Sequence, residues 1–340
     1  MDEKRRQFLT LGAAVAAGAL MPAAAGAAGP IPNAAAGALR LITYSTGGGA
    51  ARIGVVKASG RVVDVGAAAK ARGMTLSFDP SNMVSLIAAG DFALAQARQL
   101  MLEGPDSGPM VSDVRLLAPI PEPTRNVYAV GWNYLEHFKE GEAMRLKTAE
   151  LPEHPVFFSK AVGTINGPYD PIPYDPAVST SIDWECELAV IIGKKGRNIA
   201  EADAMKHVFG FCVINDTTAR DVQQKKHGGQ WFKGKSLDGH GPLGPWIVPA
   251  SDIDHTRVHL ITRVNGVVKQ DASTEQMYFK VPRIIAELSA GLTLEPGDII
   301  ATGTPPGVGG ARKPPEFLKL GDVMETEIVE IGLLRNVIGG

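Results

Sequence analysis

Apolar residues recur along this chain in three rhythms. From residue 8 to 20 they form a nearly unbroken Ala/Gly-rich run. From 39 to 66, apolar and polar positions alternate around turn signals such as Ser59-Gly60, the period of short antiparallel strands. From 83 to 102 the spacing becomes that of a helix. Pro119, Pro121 and Pro123 interrupt the pattern, and beyond Asn126 the chain reads as many short strands, at 127–130, 188–192, 209–214, 246–248, 258–264, 299–302 and 323–329. Turns at Asn265-Gly266, Pro296-Gly297-Asp298 and Leu320-Gly321-Asp322 separate several of them, and helices are predicted at 133–146 and 281–290. Regular βαβ alternation is missing. The pattern predicts a β-rich α+β protein in three parts: a leading segment over 1–37, a small N-terminal β/α domain over 38–118, and a larger domain over 119–340.

The leading segment changes the picture of where the protein works. Lys4-Arg5-Arg6 precedes the apolar run, and Pro22-Ala23-Ala24-Ala25 follows it, the three regions of an export signal. Arg5-Arg6-Gln7-Phe8-Leu9 resembles the twin-arginine motif, which implies export in the folded state to the periplasm, with no stable membrane insertion after processing. An ordinary secretory signal or an anchor is the alternative. No other run approaches the roughly 18 apolar residues needed to span a bilayer.

Composition narrows the chemistry. With 340 residues, 45% of them hydrophobic, the chain can bury a large core. Lys and Arg number 34 against 36 Asp and Glu, so no basic face is expected and a nucleic-acid partner is disfavoured. Cys186 and Cys212, the only cysteines, both fall inside apolar strand-like runs and are read as buried thiols, neither a disulfide nor a thiolate metal site.

Candidate chemistry gathers in a few segments. In Asp183-Trp184-Glu185-Cys186-Glu187 the two glutamates stand at i and i+2, so on a strand they share one face. Like charges at the head of an apolar strand repel each other, and a hard cation would turn that repulsion into attraction. Taken alone, such a pair is more often a solvated strand edge. A third carboxylate, Asp216, ends the strand-like run 209–214 and can meet the pair if the two strands are neighbours. His137 and Glu140, at i and i+3, share a helical face, where the carboxylate would fix the imidazole tautomer for work as a general base. Gly229-Gln230-Trp231-Phe232-Lys233-Gly234-Lys235-Ser236 matches the phosphate-loop pattern literally, but it follows a polar Lys/His run and carries bulky rings where bare backbone is needed. Lys235 is instead a candidate lone cation beside a metal. Gly47-Gly48-Gly49 is read as a turn, and the rigid segment 302–309 as an anion-facing loop or a structural turn.

In this order, these segments resemble the fumarylacetoacetate hydrolase family over about residues 126–338. The resemblance is carried by Val130-Gly131-Trp132-Asn133-Tyr134, Asn166-Gly167-Pro168, 183–193, 215–223, 234–238, Pro242-Leu243-Gly244-Pro245, Val264-Asn265-Gly266, 294–309 and Leu320-Gly321-Asp322. It implies a mixed β-roll catalytic domain behind a smaller N-terminal one, a homodimer, and a Mg²⁺, Mn²⁺ or Ca²⁺ ion on Glu185, Glu187 and Asp216. It further implies substrate and oxyanion contacts from Gln223, Lys235 and Thr304, an arginine supporting the metal site at Arg220, and a lid on which His137 and Glu140 activate water. Trp132, Ala161 after Lys160, and His227 depart from residues common at those positions, which bears on the substrate.

The function expected on this basis is metal-dependent hydrolysis of a C–C bond in a small 2,4-dioxo acid of the acylpyruvate or fumarylpyruvate type. The same site would serve decarboxylation, isomerisation or hydration of a 2-oxo or unsaturated diacid. A periplasmic binding protein that kept the fold without turnover is the rival from another class.

Overall fold

The computed structural model describes residues 37–144 and 150–339. The segment read as an export signal and the end of the predicted 133–146 helix lie outside them.

An 11-stranded mixed sheet organises the molecule. Its path runs from Val62–Asp64 through Arg52–Val56, Leu41–Ser45, Gly241–Pro249, Val208–Asn215, Cys186–Ile192, Ile299–Ala301 and Val127–Gly131 to Val156–Lys160. Most pairings are antiparallel, and Ile299–Ala301 runs parallel to Val127–Gly131. The N-terminal strands join this sheet directly, through Leu41 opposite Ile247. A second, four-stranded antiparallel sheet orders Val267–Ser273, His259–Val264, Val323–Ile328 and Gly332–Val337. This is the β-rich mixed fold that the sequence predicts.

The central strands are apolar almost without interruption because both of their faces are covered. On one face Leu188, Val190, Phe211 and Val213 pack with Leu260, Ile328 and Leu334 of the second sheet. On the other, Ala189, Ile191, Cys212 and Ile214 pack with Leu86, Ile87 and Leu100 from the Met83–Glu103 helix. Both cysteines are buried and free, as the sequence predicts.

Three local predictions need correction. Residues 65–71, in the tail of the region read as strands and beyond it, form a helix, capped by the Asp64 carboxylate accepting from Ala67 N–H at 2.7 Å. The helix predicted over 83–102 is broken at Gly90, whose φ of 65° no helical residue adopts. The helix predicted from Asn133 covers only Leu135–Glu140, followed by a 3₁₀ turn over Gly141–Met144. Asn133 is no helix cap: its buried amide donates to Phe279 O at 3.0 Å and Thr302 O at 2.7 Å and accepts from Phe279 N–H at 2.7 Å. The helix predicted over 281–290 is present as Val281–Ser289. Among the described residues no helix is long and apolar enough to cross a membrane.

Candidate active site

Strand register assembles the acidic centre. Val208–Asn215 pairs with Cys186–Ile192 so that Ile214 faces Glu187 and Asn215 faces Cys186. One step further the ladder continues, with Asp216 N–H donating to Glu185 O at 2.9 Å. Facing residues of an antiparallel pair project to the same side, so Asp216 joins the face that Glu185 and Glu187 share. All three are buried, and one carboxylate oxygen from each lies within 4.8 Å of the others.

Cations surround this cluster unevenly. Lys235, at the end of the one-turn helix Phe232–Lys235, reaches Glu185 Oε2 at 2.6 Å and Asp216 Oδ2 at 2.7 Å. Arg220 donates to Glu185 Oε1 at 2.6 Å, to Asp183 Oδ2 at 2.7 Å and to Gln223 Oε1 at 3.2 Å. Lys160, with no exposed surface, stands 2.8 Å from Asp216 Oδ1 and is held in place by the carbonyls of Thr217 and Lys235. Burial alone would raise the Glu185 carboxyl; Lys235, then Arg220 and His137, bring it down to about 2. Glu187 accepts the Gly303 N–H at 2.7 Å, and burial, then Asp216 and Glu185, push it well above the usual carboxylate range.

These residues fit a hard divalent cation. The donors are all carboxylate oxygens. Asp216 Oδ1 is buried and accepts no aligned hydrogen bond despite the nearby Lys160 ammonium. A cation on the three carboxylates would also relieve the repulsion concentrated on Glu187.

Above the carboxylates sits the short helix Leu135–Glu140. His137 is buried, and its Nδ1 lies 2.8 Å from Glu140 Oε1, which leaves Nε2 for a substrate. Glu140 is itself fixed by Gly307 N–H, at 2.8 and 3.0 Å from its two oxygens. The same loop meets the centre at further points. Thr304 Oγ1 donates to Cys186 O at 3.0 Å and accepts from Gln270 Nε2 at 2.8 Å, while Gly309 and Gly310 N–H donate to Asp183 at 2.6 and 2.9 Å.

His137, Glu185, Glu187, Arg220, Gln223, Lys235 and Thr304 thus line one cavity, with Asp216 and Glu140 bonded to them from behind. All nine residues singled out in the sequence meet at this place. The cavity holds about 20 Å³, little more than one water, so a substrate would need some of its walls to shift. A larger open groove of about 430 Å³ beside Asn265 and Lys319 contains none of Glu185, Glu187 and Asp216. Sequence reasoning missed Lys160, Asp183 and Gln270 as parts of the centre. Asp183 stands at the head of the same acidic run, a signal that could have been used. For Gln270 the partners lie far away in the chain and no local pattern points to it, whereas Gly307 falls inside the 302–309 segment read as an anion-facing loop, and the anion its N–H meets is the Glu140 carboxylate.

The sequence model described as fumarylacetoacetate (FAA) hydrolase, C-terminal, matches residues 126–339, well over half of the chain. The chain belongs to the fumarylacetoacetate hydrolase family. A family relative, the oxaloacetate tautomerase YisK of Bacillus subtilis (strain 168), is 44% identical over 268 residues, which cover 76% of this chain and 87% of that protein. The solved fumarylacetoacetate hydrolase of psychrophilic Exiguobacterium antarcticum superposes with a TM-score of 0.72 at 40% identity, covering 89% of this chain and 99% of that one. The maleylpyruvate hydrolase of Sphingobium sp. SYK-6, solved with manganese(II) and pyruvate, gives 0.68 at 30% identity over 88% and 98%. This fumarylacetoacetate hydrolase family member is accordingly an enzyme with a carboxylate triad suited to a divalent metal.

Proposed function

We propose that this chain interconverts the enol and keto forms of a small 2-oxo acid, with oxaloacetate as the reference substrate. One observation carries the reading: the buried His137–Glu140 pair stands over the three-carboxylate centre in a chain 44% identical to an oxaloacetate tautomerase. Glu185, Glu187 and Asp216 would hold a divalent ion, which when bound polarises the 2-oxo group. The protein's own part is proton movement. His137 Nε2 takes a proton from C3 or from the enol oxygen and returns it to the other position, so one imidazole serves both directions. Glu140 keeps Nδ1 protonated and balances the imidazolium while it carries the extra proton. The Lys235 ammonium and the Gln223 amide face the oxygen on which negative charge develops. The small cavity has room for little more than one water, which would limit stray protonation of the enolate.

C–C hydrolysis of a 2,4-dioxo acid is the second reading, favoured by the likeness to the maleylpyruvate hydrolase. There His137 would direct water instead of moving a substrate proton. Purified protein with Mg²⁺ or Mn²⁺ should accelerate decay of the oxaloacetate enol absorbance without releasing pyruvate. Pyruvate from an acylpyruvate, with no effect on enol decay, would overturn the first reading in favour of the second, and pyruvate from oxaloacetate would instead indicate decarboxylation.

A further inference from the structure

The loop that follows strand Ile299–Ala301 runs antiparallel to residues 183–188 and is fastened to them step by step. Thr302 Oγ1 donates to Leu188 O at 2.8 Å, Gly303 N–H to Glu187 at 2.7 Å, and Thr304 Oγ1 to Cys186 O at 3.0 Å. Further along, Trp184 Nε1–H donates to Gly307 O at 3.1 Å, and Gly309 and Gly310 N–H donate to the Asp183 carboxylate at 2.6 and 2.9 Å. As the loop advances, its partner recedes toward the head of the acidic segment. The loop and the two glutamates thereby share one register.

Gly307 is the point of this zipper that reaches the base. Its N–H supports both oxygens of Glu140, and Glu140 holds His137 Nδ1 at 2.8 Å. Gly307 has a φ of 106°, and a Cβ there would come within 2.1 Å of Lys269 O, so no side chain can lock it in place. A residue with that conformational freedom keeps its amide in one direction only where neighbours hold it. The Trp184 indole supplies such a hold. It is fully buried and packs with Ile182, Leu318 and Met324. The Lys269 ammonium and the Arg312 guanidinium stand 5.8 and 5.9 Å from its ring centroid, and Glu316 pairs with both, at 2.6 and 3.7 Å. A buried indole commonly finds a carbonyl for its N–H. What singles this one out is that the carbonyl belongs to the glycine whose amide supports the base.

We propose that Trp184 is a positioning residue for the base: its indole N–H fixes Gly307, and through Gly307 and Glu140 it sets where His137 Nε2 stands over the carboxylate centre. Trp184 lies between Asp183 and Glu185 in the chain, so the group that carries the proton and the groups suited to the ion are placed from one stretch of backbone. The inference rests on the reading of His137 as the proton carrier.

Trp184→Phe keeps an aromatic ring in the packed cluster and removes the N–H donor. In the Mn²⁺-loaded enzyme it should lower kcat for enol–keto interconversion of oxaloacetate about tenfold with KM little changed, as expected when a base is slightly displaced. Mn²⁺ binding, read by calorimetry, should stay within about twofold of wild type. In a His137→Ala background the same change should alter the residual rate by less than about twofold, because no base remains to be misplaced. The His137 Nδ1–H proton resonance, assigned by its absence from His137→Ala, gives a readout that needs neither turnover nor metal. In Trp184→Phe it should shift and exchange faster with water. Should circular dichroism show that Trp184→Phe does not fold, 3-benzothienylalanine at position 184, with sulfur in place of N–H in the same bicyclic ring, carries the comparison. A full rate in the Trp184 variant, or a loss that recurs undiminished in the His137→Ala background, overturns the inference. If the wild type shows no enol–keto activity, the proposed function fails and the proton resonance alone decides: a shift in the variant upholds the placement by Trp184, and an unchanged signal overturns it.

Discussion

In the proposed mechanism Glu185, Glu187 and Asp216 would hold the ion and His137 would move the proton, and that division gives opposite expectations for single substitutions. His137→Ala should lower kcat for enol–keto interconversion about 10²- to 10⁴-fold and leave Mn²⁺ binding nearly unchanged. Glu140→Gln should cost less than His137→Ala, since it keeps a polar group against Nδ1. Glu187→Gln should weaken Mn²⁺ binding directly, read by calorimetry without any substrate. A buried residue outside this chemistry gives a pH signature. His240 Nε2 lies 2.8 Å from the Pro173 carbonyl, Nδ1 has no partner among the described residues, and burial holds the imidazole down at about 4. Below the ordinary histidine value of about 6.5 the unfolded chain binds this proton and the folded one resists it, so the His240 contribution is fully present above that value and is lost as pH falls toward 4. Between pH 7 and 5 it amounts to about 2 kcal/mol, and urea unfolding of His240→Gln against wild type should show the difference shrink by that order. At this scale the carboxylates were legible because a two-residue period on a strand is a local property. Lys160 was not, because the carbonyls that hold it come from Thr217 and Lys235, 57 and 75 positions away.

Strands and loops locate these residues, and one buried amide joins three of the elements. Gln270, in the second sheet, accepts from Cys186 N–H at 3.0 Å and from the Thr262 hydroxyl at 2.7 Å, and donates to Thr304 Oγ1 and to Pro305 O, both at 2.8 Å. It therefore ties the second sheet to the glutamate strand and to the loop that carries Gly307. Gln270→Leu would leave several buried polar groups unpaired and should lower unfolding stability by about 2–4 kcal/mol in urea titration, with a parallel loss of activity as the loop loosens. The strands themselves were readable from their apolar runs. The short lid helix was not, because the residue that looked like its cap, Asn133, spends its hydrogen bonds on Phe279 and Thr302. Helix 65–71 escaped notice because an Ala-rich stretch has no polar face to reveal its period.

At the scale of the whole molecule the two sheets and the helix Met83–Glu103 form the packed scaffold of the site, and the leading segment bears on where the protein works. We propose export by the twin-arginine route, which moves folded proteins and would carry the assembled carboxylate centre across intact. Arg5→Lys together with Arg6→Lys should trap the precursor in the cytoplasm of a host with a working twin-arginine system, read by fractionation and immunoblotting. Unchanged delivery to the periplasm would point to the general secretory path. The fold class was legible at this scale because several ordered motifs had to agree. How the N-terminal strands join the large sheet was not, since Leu41 and Ile247 are brought side by side only by the complete topology.

Glu140 belongs to two partners at once, the imidazole of the lid and the Gly307 amide of the loop beneath it. That shared carboxylate couples the short helix to the loop: a displacement of Leu135–Glu140 would break the Glu140–Gly307 contact, while the His137–Glu140 pair, both members of which lie in that helix, would travel together. On the proposed mechanism the base would therefore keep its partner wherever the helix stands, and seating on Gly307 would supply its aim.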